Sequence, residues 1–393
     1  MGNVKMQKID LCVIQDDDLA QVGLDMDQRP AVKTVVVIDQ IVPPNSPKVS
    51  ALHKALREKA EKEGLDFYYG KGMCAELLAN GLLKADESAV VCDKAAGAAG
   101  AIGAKVFLVD AVQLKQVLET GELSQERSAE DSESKKNVVK TTGNLPEGLS
   151  AKDLALSLVK ELGEEVVSGK ELILTGDTLK SLDLSDKMTI CGVLGKAGAV
   201  TVTVENVKTG EPAAFNTNTA DSEISTYIFD AAKTREVTAL PGGCTEIKPL
   251  SELSAVKIKS VFIGGTTGGT LKELAQAASM LKGRKIAYGL RLIVAPADAD
   301  TYIKAATAGY LTDVLEAGGL VINHCGSPEV QGRIGKTEVM VSNDLENKPG
   351  YAGFETSKTY LTSTKAAVEA ALLGTLGYKE EAPAEKEKTE TPS

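Results

Sequence analysis

The chain contains 393 residues, and its 44 lysines and arginines against 55 aspartates and glutamates give a formal net charge of −11. A surface of that sign repels polyanions, so the composition argues against a nucleic-acid-binding function. Hydrophobic residues make up 43% of the chain and charged residues 25%, as in a globular protein of two or three domains. No apolar run approaches the ~20 residues of a membrane span, and the first residues lack the apolar core of a signal peptide, so we expect a cytoplasmic protein without a membrane partner.

Cysteine and histidine are sparse and scattered. Each of the six cysteines stands alone in or beside an apolar segment, and no Cys-x-x-Cys pair occurs. This spacing disfavours both a disulfide framework and a zinc ribbon. Only His53 and His324 could supply imidazole, so the sequence predicts no metal site and does not favour histidine-based catalysis.

The first third of the chain alternates apolar segments with helical patterns that end at glycine. Three segments rich in β-branched residues predict strands buried on both faces of a parallel sheet: 31–39, 87–93 and 105–110. Between them, Ser46 as N-cap, Pro47 at the first helical position and Gly64 as the end predict one helix. A second helix is predicted over 112–121. This order of elements is typical of a doubly wound α/β fold.

Composition also marks the domain boundaries. Residues 124–136 contain almost no apolar side chains and carry mixed charge, which indicates an exposed linker. After Tyr378 the chain mixes proline with alternating charge, which is typical of disorder. We therefore predict three α/β domains, a linker and a tail, at 1–124, 125–137 (linker), 138–254, 255–378 and 379–393 (tail).

Two glycine-rich turns, at 92–103 and 264–270, follow apolar strands and lead into helical segments. Backbone N–H groups in such turns can hold a carboxylate or a phosphate, and Lys94 and the hydroxyls of Thr266 and Thr267 can add donors. Neither turn matches the Walker or G-x-G-x-x-G pattern, which disfavours nucleotide binding. The alternative is that the glycines only allow a strand and a helix to pack closely.

Five segments, in the same order along the chain, resemble the large subunit of 3-isopropylmalate dehydratase and, more broadly, the aconitase family. They cover residues 35–64, 145–163, 174–199, 256–296 and 360–376. The resemblance implies three doubly wound α/β/α domains around a central cleft. It also implies a small organic acid as ligand. Family members are usually completed by a small swivelling subunit or domain, which this chain lacks, so the resemblance further implies a separate small subunit as protein partner.

The cluster ligands of the family are not retained. Its members bind a [4Fe-4S] cluster through three cysteines and leave one iron open as a Lewis acid. In this chain Thr266 stands at the first cysteine position, and Cys325 is followed by Ser327 and Pro328 where another cysteine is expected. One thiolate cannot hold such a cluster, so we predict no cofactor and disfavour [4Fe-4S].

The acid–base positions implied by the resemblance have changed as well. Asp39 and Asp93 keep the carboxylates of two family motifs whose histidines are absent. Lys196 stands at a position where the family has glutamate, and Asp344 stands at an arginine position. These changes fall on site positions while glycines, prolines and apolar strands persist, so we do not expect iron-dependent dehydration.

The first functional hypothesis is an enzyme with a rebuilt site, a hydro-lyase or isomerase acting on a hydroxy-carboxylate or unsaturated carboxylate without a cluster. A lysine near two carboxylates in a closed cleft can have a pKa suited to proton transfer. The candidate catalytic residues are Asp39, Asp93, Lys94, Lys196 and Cys325. The candidate substrate-binding residues are Gly265, Thr266, Thr267, Gly268, Ser342 and Asn343.

The second hypothesis is a non-catalytic carboxylate-binding or regulatory subunit that pairs with a small swivelling-domain partner. Taken singly, Lys94 and Lys196 also fit a solvated surface charge or a structural ion pair. The aspartates at the strand ends also fit helix caps. Turnover distinguishes the first hypothesis from the second, which predicts saturable stabilisation by a ligand without turnover.

Overall fold

The computed structural model describes residues 5–17, 20–26, 28–125, 136–205, 224–324, 327–328 and 332–378. Within these residues the strands form three large sheets and two antiparallel pairs, and helices connect the parallel strands. The predicted α/β class is confirmed. Most of the predicted linker and the whole predicted tail lie outside the described residues. We call residues 5–125, 136–230 and 237–378 the first, second and third blocks.

The first block is a parallel sheet with one additional antiparallel pair. Its strands are β1 (Lys5–Lys8), β2 (Leu11–Gln15), β3 (Thr34–Ile38), β4 (Asp66–Tyr69), β5 (Ser88–Val91), β6 (Lys105–Leu108) and β7 (Glu122–Gln125). Its helices are α1 (Ala20–Leu24), α2 (Pro47–Glu63), α3 (Cys74–Leu77), a π-helical turn (Leu78–Leu82), a 3₁₀ helix (Lys94–Ile102) and α4 (Ala111–Thr120). The sheet order is β4-β3-β2-β5-β6, and β1 pairs with β7.

Helix α2 begins and ends where its capping residues predict. The Ser46 hydroxyl accepts a hydrogen bond from the Val49 N–H at 3.3 Å, Pro47 is the first helical residue, and Gly64 closes the helix at φ +67°. Strand β3 is buried along its whole length, as its continuous apolar run predicts for a parallel sheet covered on both faces.

The second block is a parallel sheet of order β10-β9-β8-β11. Its strands are β8 (Lys136–Thr142), β9 (Glu171–Gly176), β10 (Thr201–Val204) and β11 (Ser225–Asp230). Its helices are α5 (Ala151–Leu162), α6 (Glu164–Val167), α7 (Asp177–Ser181) and α8 (Leu184–Lys196). Ser150 caps α5 and exchanges hydrogen bonds with Asp153, so the predicted start of this helix is confirmed.

The third block is a mixed sheet of order β13-β12-β19-β18-β15-β16-β17, with β14 and β20 forming a separate pair. Its strands are β12 (Val237–Ala239), β13 (Ile247–Pro249), β14 (Val256–Lys257), β15 (Ser260–Ile263), β16 (Arg291–Val294), β17 (Leu320–Val321), β18 (Val339–Ser342), β19 (Lys358–Thr362) and β20 (Thr375–Leu376). Its helices are α9 (Gly265–Gly268), α10 (Leu271–Leu281), α11 (Ala299–Thr307), α12 (Tyr310–Glu316) and α13 (Thr364–Leu373), with a 3₁₀ turn at Leu250–Glu252. Another 3₁₀ turn, Ala231–Lys233, lies between the second and third blocks. Strand β12 pairs antiparallel with β19, so the hairpin 237–249 belongs to this sheet although it precedes the boundary drawn at 254.

The three blocks meet around short helices. The 94–102 helix packs against α8 and β10, and α9 contacts α3, α8 and the 94–102 helix. A β-carbon at Gly100 would overlap the carbonyl oxygen of Val202, so only glycine permits this approach of the first and second blocks. The first and third blocks are joined by backbone hydrogen bonds from Met73 to Ala297 and from Ala299 to Lys71. No helix in the described part of the chain is long and apolar enough to cross a membrane.

Candidate functional site

The glycine-rich turn that follows β15 is held by a single amide side chain. Asn343 accepts a hydrogen bond from the Gly264 N–H at 2.9 Å and donates one to the Gly268 carbonyl at 2.9 Å. Thr266 and Thr267 are buried. The structure therefore brings the predicted residues 265–268 and Asn343 together, whereas the Ser342 hydroxyl only accepts a hydrogen bond from the Asp344 N–H on its own strand end.

A lysine on α5 reaches this turn from the second block. Lys152 is completely buried, and its Nζ donates a hydrogen bond to the Thr267 hydroxyl at 2.7 Å. Burial lowers the pKa of Lys152, and the carboxylates of Glu273 and Asp344 act in the opposite direction. An amino group from an element far away in sequence therefore contacts the turn.

Two carboxyl groups lie against the same turn. The Tyr351 hydroxyl donates to Asp344 at 2.7 Å, and a β-carbon at Gly265 would overlap the other carboxylate oxygen of Asp344. Burial raises the pKa of Asp344. Glu273 accepts a hydrogen bond from the Asn343 amide at 2.7 Å, and burial raises its pKa to about 7. Both acids therefore bind protons more tightly than an exposed carboxylate does.

At the end of β3, Asp39 lies in a fully enclosed position. Its carboxylate accepts hydrogen bonds from the Cys74 N–H at 2.6 Å and from the Gln15 amide at 3.2 Å. Burial, together with the charges of Asp16 and Asp93, raises the pKa of Asp39 to about 8. Asp39 therefore carries a proton at neutral pH.

The neighbouring Asp16 is an anion by contrast. It accepts hydrogen bonds from the backbone N–H groups of residues 39, 40 and 41 at 2.9, 2.9 and 3.2 Å, and from His53 Nε2 at 2.9 Å. Burial acts to raise the pKa of Asp16, but these hydrogen bonds outweigh it and the pKa is lowered. Asp16 therefore fixes the backbone that carries Asp39.

Asp93 and Lys196 link Asp39 electrostatically to Asp344. Asp93 interacts with Asp39, and Lys196 interacts with both Asp93 and Asp344. Asp93 caps the 94–102 helix by accepting the Ala95 N–H at 3.0 Å. Lys196 Nζ lies 2.9 Å from Glu346 Oε2, and both side chains are largely buried. Burial acts to lower the pKa of Lys196, but Asp93, Glu346 and Asp344 outweigh it and raise the pKa. Of the other predicted catalytic groups, the Lys94 side chain and Cys325 lie outside what the structure describes.

A groove opens beside Asp93 between the first and second blocks. Its volume is about 260 Å³, slightly below that of pockets for drug-sized ligands, so it suits a small molecule. Apolar side chains form most of its walls, among them Val91, Val106, Leu108 and Val202. Asp93 supplies a charge at its surface, and Gly195, next to Lys196 in the chain, also lines it.

Comparison with known proteins matches the aconitase family (aconitate hydratase) to residues 27–209 and 215–374. The chain belongs to the aconitase family. The probable 3-isopropylmalate dehydratase large subunit of Methanothermobacter thermautotrophicus is 27% identical, over 96% of this chain and 94% of that protein. The probable methanogen homoaconitase large subunit of Methanosarcina mazei is 29% identical, over 87% and 89%. The crystal structure of Thermococcus kodakaraensis aconitase X has a similar fold, with a TM-score of 0.52 and 12% identity over 96% of this chain and 88% of that one.

These findings confirm the resemblance drawn from the sequence, so we asked whether the described residues fit the cluster that the resemblance implies. Burial raises the pKa of every cysteine that the structure describes, which disfavours the thiolate that a metal requires. No three His, Cys, Asp or Glu side chains among the described residues are grouped so that they could hold a metal ion. The described residues therefore do not fit a cubane cluster.

Sequence reasoning missed Lys152 and Asp16. Lys152 occupies the same helical stripe as Leu156 and Val159, four and seven positions later, so its burial on an apolar face could have been noticed. Asp16 follows an apolar strand of the same parallel sheet as Asp39, so both carboxylates could have been expected at the same edge of that sheet. Glu273 stands three residues after Thr270 in a capping-box pattern, which pointed to a helix start rather than to a site.

Proposed function

We propose that this aconitase-family protein binds a small organic acid where its three blocks meet, and acts on it as a hydro-lyase or isomerase without an iron–sulfur cluster. The supporting observation is that Asp93 interacts electrostatically both with Asp39, whose pKa is raised to about 8, and with Lys196, so that residues from three separate segments are brought together. Buried titratable groups with perturbed pKa values that interact with one another are typical of acid–base sites.

The chemistry follows from those protonation states. Elimination of water requires an acid at the departing hydroxyl and a base at the carbon next to a carboxylate. Asp93 lines the groove and can exchange a proton with a bound ligand, whereas Asp39 is enclosed, does not line the groove, and acts on the reaction only through its electrostatic interaction with Asp93. The Lys196 ammonium attracts the carboxylate of the substrate, and the apolar groove walls accommodate its hydrocarbon part.

A small-subunit partner is part of this proposal. The matched relatives from Methanothermobacter thermautotrophicus and Methanosarcina mazei are large subunits by name, and this chain covers nearly their whole length. We expect a separate small swivelling subunit to complete the cleft. Size-exclusion chromatography of the chain co-expressed with such a subunit tests this, and elution as separate species would contradict it.

The second candidate function is a non-catalytic binding or regulatory subunit. It is favoured by the observation that several polar groups of the site are already paired within the chain, namely Lys152 with Thr267, Lys196 with Glu346, and Asp344 with Tyr351. Such a closed network stabilises one arrangement and offers fewer groups to a substrate.

The first experiment is measurement of iron, labile sulfide and the visible spectrum after anaerobic purification and reconstitution. We expect no stoichiometric cluster, and a full [4Fe-4S] signal would overturn the cluster-free proposal. The second is a screen of hydroxy- and unsaturated carboxylates for turnover, by the ultraviolet absorbance of the double bond, and for thermal stabilisation.

Substitutions at the site distinguish the enzyme from the non-catalytic subunit. Turnover that is lost in Asp39→Asn and Lys196→Met, and retained in the exposed control Asp66→Asn, supports the enzyme. Saturable stabilisation without turnover supports the regulatory subunit instead. If no organic acid in the screen gives either stabilisation or turnover, both functions are overturned.

A further inference from the structure

A short backbone bridge beside α3 joins the first and third blocks. Residues 71–73 and 297–299 run antiparallel there, with N–H···O distances of 3.3 and 3.2 Å. A β-carbon at Gly72 would come within 2.8 Å of the Asp298 β-carbon and within 3.7 Å of the Leu77 side chain. The bridge therefore brings Asp298, the N-cap of α11, close to the helix that ends at Leu77.

Glu76 lies on that helix with its carboxyl group enclosed. Only 8% of the residue is exposed, and its Oε1 is buried without a hydrogen-bond partner among the described residues. An ionised carboxylate in this position lacks both water and a hydrogen bond at that oxygen, which is costly. Burial, and then the charge of Asp298, raise the pKa of Glu76 to about 8. Glu76 therefore holds a proton at neutral pH.

The other elements around α3 leave Asp298 as the charge that acts on Glu76. The elements that pack most closely against α3 are the 78–82 turn, the 94–102 helix and α9. Their residues are uncharged apart from Lys94, whose side chain lies outside what the structure describes. The charge that faces Glu76 from the third block is thus a like charge, and it disfavours the ionised form.

We propose that Glu76 is a proton-dependent lock between the first and third blocks. With its proton bound, the side chain is neutral and fits the enclosed position, so the bridge stays closed. When the proton leaves to water, the carboxylate repels Asp298 and can be hydrated only if residues 71–73 separate from 297–299. This inference concerns the contact between two blocks and does not depend on the proposed function.

The direction of the pH effect follows from the two states of the bridge. The closed state has a Glu76 pKa of about 8, and opening restores the ordinary value of 4.5. Between these values the closed state holds a proton that the open state releases, so opening becomes easier as the pH rises and levels off above about pH 8. Release of one proton raises the opening equilibrium constant about tenfold for each pH unit.

The test is hydrogen–deuterium exchange of the full chain without ligand, read by mass spectrometry on peptides that contain the two halves of the bridge. Labelling times are adjusted for the known pH dependence of exchange in unprotected amides. From pH 5.5 to 7.5 the opening equilibrium constant of the wild type should rise by about 10–100-fold. Glu76→Gln keeps the size of the side chain but has no proton to lose, so its rise should be smaller by about that factor.

Two variants of α11 complete the design. Asp298→Asn preserves a residue that caps helices well and removes one of the two like charges, so it should reduce the rise. Asp300→Asn, exposed on the same helix, is the matched control and should behave like the wild type. Asp39, which accepts a hydrogen bond from the Cys74 N–H on α3, also has a raised pKa, but it is common to all these variants and cancels in the comparison.

An equal rise in the wild type and Glu76→Gln would overturn the inference, as would exchange at the bridge that does not change with pH in the wild type. If Glu76→Gln does not fold, Asp298→Asn decides: a reduced rise supports the inference, and an unchanged rise overturns it. None of these measurements involves an organic acid or turnover, so their outcome is independent of the screen that tests the proposed function.

Discussion

Replacing Asp39 with asparagine should stabilise the protein at neutral pH. The folded state raises the pKa of Asp39 from 3.8 to about 8, so between these values the native protein holds a proton that the unfolded chain releases. A carboxyl group with a raised pKa contributes stability at low pH, and that contribution is lost as the pH rises toward the folded-state pKa. The loss is about 1.4 kcal/mol for each pH unit, or about 4 kcal/mol between the unfolded-state value and pH 7.

Asparagine carries no proton to lose, but it changes the hydrogen bonding. One oxygen of Asp39 accepts from the Cys74 N–H and the other accepts from the Gln15 and Gln40 amides, and asparagine can accept well at only one of these two positions. Gln15 Oε1 is buried and has no partner among the described residues, so a flipped Gln15 amide can accept from the new NH₂ group. Allowing about 1–2 kcal/mol for imperfect pairing, we expect a net gain of about 2–3 kcal/mol at pH 7.

Urea unfolding followed by far-ultraviolet circular dichroism at pH 5, 6, 7 and 8 measures this difference. The free energy of unfolding should fall less steeply with pH in Asp39→Asn than in the wild type. The two slopes should differ by about 1.4 kcal/mol per pH unit, the value for one proton, so the advantage of the variant grows with pH. Asp66→Asn, exposed on β4 of the same sheet, is the matched control and should leave the slope unchanged. A difference between Asp39→Asn and wild type that is the same at pH 5 and pH 8 would refute the reasoning.

Three further variants test other contacts of the structure. Gly100→Ala should destabilise the protein by about 1–3 kcal/mol in urea unfolding, because its β-carbon meets a backbone carbonyl of β10, whereas Gly97→Ala on the same helix has open space and should be tolerated. Asp16→Ala leaves three backbone amides and a histidine without their acceptor, and should lower the free energy of unfolding by about 3–5 kcal/mol; a loss below 1 kcal/mol would contradict its anchoring role. Lys196→Met should lower Tm because Glu346 then keeps only its longer ion pair with Lys348 at 3.8 Å, and adding Glu346→Gln should restore most of the loss, as a double-mutant cycle measures.

The elements whose signals lie within a few residues were predictable. Helix α2 begins at Ser46 and ends at Gly64 because a hydroxyl satisfies a free N–H at one end and glycine adopts a positive φ at the other. Strand β3 is apolar along its length because both faces of a parallel sheet are covered. Such features depend on chain neighbours, which the sequence contains.

The pairing of distant segments was not predictable in the same way. The hairpin 237–249 follows the second block in the chain, yet its hydrogen-bond partner β19 lies more than a hundred residues later. In the sequence Lys152 is one polar residue of an amphipathic helix, and only the packing of α5 against the third block places its amino group at the glycine turn. The roles of Asp39, Asp93 and Lys196 in a reaction stay predictions.

The sequence by itself determined the family and the α/β class, since these depend on the order and identity of residues. Tertiary structure decided the protonation and pairing of the site. Asp39 and Asp16 are both aspartates near strand ends, but burial and neighbouring carboxylates raise the pKa of Asp39, whereas four hydrogen bonds outweigh burial and lower the pKa of Asp16. The free energy of a charge depends on everything around it in space, so identical residues at one sheet edge acquire different pKa values only when the chain is folded.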